Sequence, residues 1–294
     1  MAGSSAPLRR LGAELRRLRK DAGRTQSDVG SAIGRTHVTM VNWEGGKTRI
    51  GKSDLVCLLA ELRVPADVRK ALERLREEGG RGAGQWTAYG LPDWLGSLVS
   101  FEEDAVAVMA FEPIVIPGLL QVENYARAIH VAGPYTTARA DIDKRVAARM
   151  RRQQRLNGSS PLKLDAVVSE AALRLEVGGP VVMADQLQRL LDAGKRRNIT
   201  IQVLPDAGGA HPAVASNATV LHFADPRSDP PLGYFDGPLG GYMITDEGDV
   251  ASMIGMFQDV RKCALSAADS ALMIAAILEG HRRKGSADDR SVSG

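Results

Sequence analysis

Residues 25–47 read TQSDVGSAIGRTHVTMVNWEGGK. They predict two short helices joined by a tight turn: Thr25 opens the first helix, a glycine sits near the turn, and Thr36 caps the second. At about 100° per residue, Thr36, Met40 and Trp43 fall on one side of the second helix, with Glu44 at its edge. Val38, Val41, Asn42 and Gly45 fall on the other. The first side has a large apolar pair to bury. The second offers an amide able to bond adenine or guanine edges and two valines able to touch thymine methyls. Such a face suits groove reading better than it suits water. With Thr36 as N-cap, His37 and Val38 lead the helix, and Gly30 leaves room for the two helices to approach closely. This is the layout of a helix-turn-helix, in which a scaffold helix presents a recognition helix to the DNA major groove.

Thr25-Gln26, Gly30, Ile33-Gly34, Thr36, Trp43-Glu44 and Gly46-Lys47 resemble the XRE (Cro/C1-type) helix-turn-helix family, with spacing that agrees from end to end. The resemblance implies that Gln26 buttresses the recognition helix and touches the DNA backbone. It also implies that His37, Val38 and Asn42 specify sequence, while Gln26, Thr36, Lys47 and Arg49 position phosphates. Val41 joins the DNA-facing set through its place beside Asn42. Arg35 departs from the family, which keeps an apolar residue in the turn; either it snorkels to a phosphate or the turn packs loosely.

A chain of 294 residues is long for one small DNA-binding module and predicts two domains. Hydrophobic content of 44% with 25% charged residues is ordinary for a soluble globular protein. The net charge of +3 is uneven: residues 1–80 hold 16 Lys and Arg against 10 Asp and Glu, and the remainder hold 22 against 25. The basic excess thus lies with the helix-turn-helix, as a polyanion-binding module requires. It is modest, and one module covers only about four or five base pairs, so a homodimer on double-stranded DNA is expected. No apolar run approaches the roughly 18 residues of a membrane span, and MAGSSAPLRRLG has no secretory h-region. The expected location is cytoplasmic and nucleoid-associated, with Cys57 and Cys263 as buried thiols in a reducing compartment.

Leu8, Leu11, Leu15 and Leu18 repeat at spacings of three and four, with Arg9, Arg10, Arg16, Arg17, Arg19 and Lys20 on the other faces of an amphipathic first helix. Helices follow with Leu55, Leu58, Leu59 and Leu62 inward, then Val68, Leu72 and Leu75. The expected fold is therefore a mainly α, five-helix domain over 1–78, then an α+β domain over 90–283. Residues 79–89, with four glycines in Gly79 to Gly84, are expected as a flexible linker, and 284–294 as a disordered tail. In the second domain helices are expected at 94–103, near 183–193, at 247–263 and at 267–281, with a basic helix at 141–156. Strands are expected at 105–111, 162–168, 199–204, 218–223 and 241–245, and Ser266 to Asp269 as a capping box.

The second domain resembles a family known as DUF5753, or Scr1-type antitoxin-like regulators, found in actinobacteria. The likeness rests on Phe111-Glu112-Pro113, Val115 to Gln121, Tyr125-Ala126-Arg127, Arg145-Val146, Arg149, Arg152-Gln153, Ser169 to Leu173, Gln202 to Pro205, Gly209 to Pro212 and Ala264 to Ser266. It implies a regulator whose C-terminal domain binds a partner protein, a ligand or its own copy. A small DUF397-type protein is the implied partner, and the alternative is an antitoxin-like protein that mainly sequesters it, with autoregulatory DNA binding. No catalytic residues come with the resemblance.

Other sites find little support. Gly46-Lys47-Thr48 is not a P-loop end, because the glycine needed five positions earlier is Val41. Histidines 37, 130, 211, 222 and 281 lack acidic or cysteine companions at ligand spacing, so no metal or cofactor is expected. No G-x-S-x-G elbow exists and neither cysteine has a nearby histidine, so no enzyme is expected. The basic helix carries Lys144, Arg145, Arg149, Arg151, Arg152 and Arg155, either as a solvated face paired with Asp141 and Asp143 or as a surface for an acidic partner or DNA. Arg145, Arg149, Arg152 and His211, the last in a Gly-rich turn, are the candidate partner or ligand residues.

Overall fold

The computed structural model describes residues 6–87, 89, 91–133, 139–214, 216–227, 229–237 and 240–292. The chain forms two compact units, Met1–Asp104 with Ala224–Pro230, and Ala105–Phe223 with Pro231–Gly294.

The first unit is α-helical: α1 Ala6–Asp21, α2 Gln26–Ala32, α3 His37–Glu44, α4 Lys52–Glu61, α5 Ala66–Thr87 and α6 Asp93–Asp104. Leu11 and Leu15 of α1 close over Val29, Met40, Trp43, Ile50, Leu55, Leu58, Leu59, Val64 and Leu72, one continuous apolar core. Each large side chain in it contributes about 1.5–3 kcal/mol by leaving water. Gly12 lets α1 cross the end of α3: a Cβ there would lie 2.6 Å from the Trp43 carbonyl oxygen.

Three expectations change in this unit. The glycine run expected as a linker over 79–89 is helical through Thr87, while 88 and 90 lie outside the described residues. Each glycine costs about 1 kcal/mol of helix propensity, but Trp86 is 3% exposed and its ring lies 5.4 Å from that of Tyr89, so packing holds the far end of α5. The helix expected at 94–103 forms, and packing groups it with the first unit, not with the second. The polar faces of α1 are also not all solvated. Arg10 pairs with the buried Asp229, and Arg9 donates from Nη2 to the Pro230 carbonyl (3.2 Å) and lies over the Phe101 ring.

The second unit is α+β, with one mixed sheet: β1 Ala107–Glu112, β2 Lys163–Ser169, β3 Ile199–Leu204, β4 Ala218–His222, β5 Leu232–Gly237 and β6 Gly240–Ile244. Their order is β3-β2-β1-β4-β5-β6, parallel among β1 to β3 and antiparallel from β1 through β4 and β5 to β6. The helices are α7 Glu123–Ala132, α8 Arg139–Arg152, α9 Glu170–Arg174, α10 Pro180–Gly194, α11 Glu247–Cys263 and α12 Ala267–Val292. Phe257 and Val260 of α11 pack against Phe111, Val167 and Leu204, which fixes one face of the sheet. Side chains alternate along a strand, so Glu112 projects from the opposite face.

The basic helix ends at Arg152 and tightens into a 3-10 turn over Gln153–Leu156. β5 and the one-turn α9 were not expected from the sequence. The tail expected as disordered is helical to Val292, as a continuation of α12. Asp269 donates its backbone N–H to Ser266 Oγ (3.1 Å), as the expected cap requires. Cys57 and Cys263 are exposed, against the expectation of buried thiols, because each falls on the outward side of its helix.

Candidate nucleic-acid interface

The recognition helix is held at both ends. Thr25 caps α2 reciprocally: its Oγ1 accepts from the Asp28 N–H (3.1 Å), and the Asp28 carboxylate accepts from the Thr25 N–H (3.0 Å). Those bonds hold the Asp28 carboxyl below its ordinary range. Thr36 Oγ1 accepts from the Thr39 N–H at 3.2 Å and caps α3. Gly30 sets the approach of the two helices, since a Cβ there would lie 2.9 Å from the Arg35 carbonyl oxygen. Gly34, at φ +68°, turns the chain.

Met40 and Trp43 are buried, and Val38 is 65% exposed. His37 is exposed at the start of α3, while Val41 and Asn42 are half-buried one turn further on. Lys47 is exposed beyond the C-terminus of α3 with no ion pair among the described residues. The proposed base-facing side chains thus share one open side of α3.

The expected phosphate contacts fare unevenly. Thr36 is exposed, not on the inward side with Met40, and its hydroxyl is engaged in the cap and with Thr39 Oγ1 (2.9 Å). Arg49 donates from Nε to the Arg76 carbonyl (3.2 Å), and Arg76 returns a bond to the Ile50 carbonyl (2.9 Å), so the loop after α3 is tied to α5. The Nη groups of Arg49 make no hydrogen bond among the described residues. Arg35 is exposed but engaged; its guanidinium forks onto Asp54 Oδ1 at 3.1 and 2.8 Å and holds the turn to α4.

Sequence reasoning missed the element that orients this surface. Glu44 is buried, not at the helix edge, and takes Arg19 in a two-pronged pair, Nε to Oε1 at 2.6 Å and Nη2 to Oε2 at 2.9 Å. Donation to Glu44 holds the Arg19 guanidinium above its usual range. Arg19 Nη1 also donates to the Arg24 carbonyl (2.7 Å), and Gln26 Nε2 donates to Glu44 Oε2 (2.8 Å). Gln26 is therefore aimed by Glu44, with its second amide hydrogen unspent. No local spacing signals a pair that is 25 residues apart in the chain.

In the second unit the four candidate residues do not converge. Arg145, Arg149 and Arg152 share α8, but the His211 ring stands edge-on to Phe111 (5.5 Å), on the α11 face of the sheet. Arg149 lies on the Glu112 face, donating from Nη1 to Gln121 Oε1 at 2.5 Å. Half-buried Arg127 bridges the exposed Glu123 and Asp143, so part of the basic helix is a solvated, paired surface. Among the described residues no group of three or more His, Cys, Asp or Glu side chains is placed to hold a metal, and no single helix is long and apolar enough to cross a membrane.

No curated protein and no solved structure matches the chain. A helix-turn-helix domain family matches residues 10–72, the span of α1 to α5 that contains the geometry above. A second family, described as a domain of unknown function (DUF5753), matches residues 95–276. That match spans most of the chain and every strand of the mixed sheet. The chain belongs to the DUF5753 family, with a helix-turn-helix domain at its N-terminal end.

Proposed function

We propose that the protein is a sequence-specific, DNA-binding transcriptional regulator in which α3 enters the major groove. His37, Val38, Val41 and Asn42 read base edges, and Gln26, Lys47 and the free Nη groups of Arg49 fix the backbone. Thr36 serves chiefly as the cap. The observation that carries the reading is Val38, a large aliphatic side chain held 65% exposed at the start of a helix whose opposite side is core. The excess of basic residues over residues 1–80 supports it. A homodimer on a pseudo-palindrome, with half-sites about one turn apart, supplies the affinity one modestly basic module lacks.

Genomic footprinting followed by affinity measurements with operator and random DNA tests this. Asn42→Ala is expected to lose about 1–3 kcal/mol, concentrated at one base position. Lys47→Ala is expected to weaken all sites evenly and to flatten the salt slope by about one unit. If both variants bind operator and random DNA like the wild type, the assigned face is wrong.

The second unit is the sensing or docking part in this reading. The exposed basic residues of α8 favour a second version, in which the protein mainly sequesters a small acidic partner of the DUF397 type and regulates its own synthesis. Co-purification with the product of an adjacent small gene supports that version. A dimer found alone on many genomic sites speaks against it.

A further inference from the structure

The sheet register assembles a polar row that no sequence spacing shows. Phe111 faces Ala218, so one further residue sets Glu112 beside Asn217; Thr219 faces Tyr234, so two further residues set Asn217 beside Asp236. The Asn217 amide donates to Asp236 Oδ1 at 2.6 Å and lies close enough to Glu112 to act on its titration. Asp236 in turn faces Gly241, where a Cβ would collide with the Tyr234 ring, so the glycine lets that ring lie flat across β6. Arg149 approaches the row from α8, and Tyr125, whose hydroxyl accepts from the Ile116 N–H, approaches from α7.

This cluster has the character of a cleft, not of a core. Protein crowds the charged ends of Glu112 and Arg149 closely enough to shift both titrations, yet both residues keep part of their surface open to water. Asp236 is exposed at its rim and Asn217 half-buried, while Tyr234, 4% exposed, lies deep with its hydroxyl lacking any partner among the described residues. Buried hydroxyls are nearly always satisfied, so an unpaired one that feels the charges of both Arg152 and Arg149 points to a missing acceptor. The position agrees: β1 ends here in a parallel segment, and open α/β sheets bind ligands outside the carboxyl ends of such strands.

The charges select the sign of that acceptor. Burial, with Asp236 adding to it, pushes the Glu112 carboxyl up to about 8, so near neutral pH it is protonated and able to donate. Burial, aided by Arg149 and Arg145, lowers the His130 imidazole to about 4, so it is neutral. Burial also lowers Arg149, to about 10, where it stays charged.

We propose that this cleft binds a small oxyanion, a carboxylate or a phosphate, through the Arg149 guanidinium and the Tyr234 hydroxyl. The proposal depends on the regulator reading only for what binding does to DNA occupancy; binding itself is measured without DNA, so either reading can fail alone. The full chain is titrated calorimetrically with acetate and, separately, with inorganic phosphate, which distinguishes the two sources. One of them is expected to bind with a dissociation constant below about 1 mM. Tyr234→Phe removes only a hydroxyl without a partner. It is expected to unfold at the wild-type temperature or slightly above it and to bind about tenfold more weakly. Arg149→Lys keeps the charge but not the planar fork and is expected to weaken binding at least as much. The proposal is overturned if neither anion binds below about 1 mM, as when ordered water alone fills the cleft. It is equally overturned if Tyr234→Phe binds as the wild type does.

Discussion

Two buried acid–base clusters serve opposite ends. In the first unit, Glu44 accepts from Arg19 twice and from Gln26 once, and both carboxylate oxygens are taken. In the second, among the described residues, Glu112 and Arg149 form no direct ion pair and the Tyr234 hydroxyl has no partner. Desolvation acts on both, but only the first has close opposite charge to offset it. Burial drives Glu112 up to about 8 and Arg149 down to about 10. A satisfied cluster fastens helices together; an unsatisfied one keeps binding capacity in reserve.

The sharpest break between them is expected in stability. Glu44→Ala strands the Arg19 guanidinium between α1 and α3 and should cost about 3 kcal/mol, read by denaturant unfolding. It should also release Gln26 and weaken binding to every DNA site. A loss under about 1 kcal/mol would place this pair with ordinary surface bridges.

Glu112 should behave in the opposite sense, through pH. Its folded pKa lies above the unfolded value of 4.5, so the folded state binds the extra proton and stability falls as pH rises from the unfolded value towards about 8. His130, lowered from 6.5 to about 4, works against this below 6.5, where stability falls as pH drops. The Glu112 effect is therefore visible alone between 6.5 and about 8. Its slope there should be at most about 1.4 kcal/mol per pH unit. Glu112→Gln should flatten that stretch of the unfolding profile, and an unchanged profile would remove the carboxyl from the cleft.

Smaller effects are expected at the surface. Arg35→Ala breaks an exposed pair with Asp54 and should cost under about 1 kcal/mol by thermal unfolding. Tyr234→Phe should leave stability unchanged or raise it slightly, the mirror image of Glu44→Ala. A clear loss would mean that its hydroxyl already has a structural partner.

Local periodicity explains what was legible in the sequence. Met40 and Trp43 inside with Val38 outside, β3 at 199–204 and α11 at 247–263 all follow from spacings within one element. Elsewhere local signals pointed the wrong way. The glycines before Trp86 weaken a helix that tertiary packing completes, and β5 is obscured by Pro230 and Pro231 ahead of it and by glycines at 233 and 237.

The sequence by itself determined the helix-turn-helix, the outward side of α3 and the α+β character of the second unit, because each depends on neighbours within about one or two helical turns. Only the tertiary structure decided that Glu44 meets Arg19, that Arg49 is partly spent on Arg76, and that Glu112, Asn217 and Asp236 share a row. Those partners are brought together by packing and strand register. A one-residue slip in register would send each side chain of that row to the opposite face while leaving the sequence unchanged.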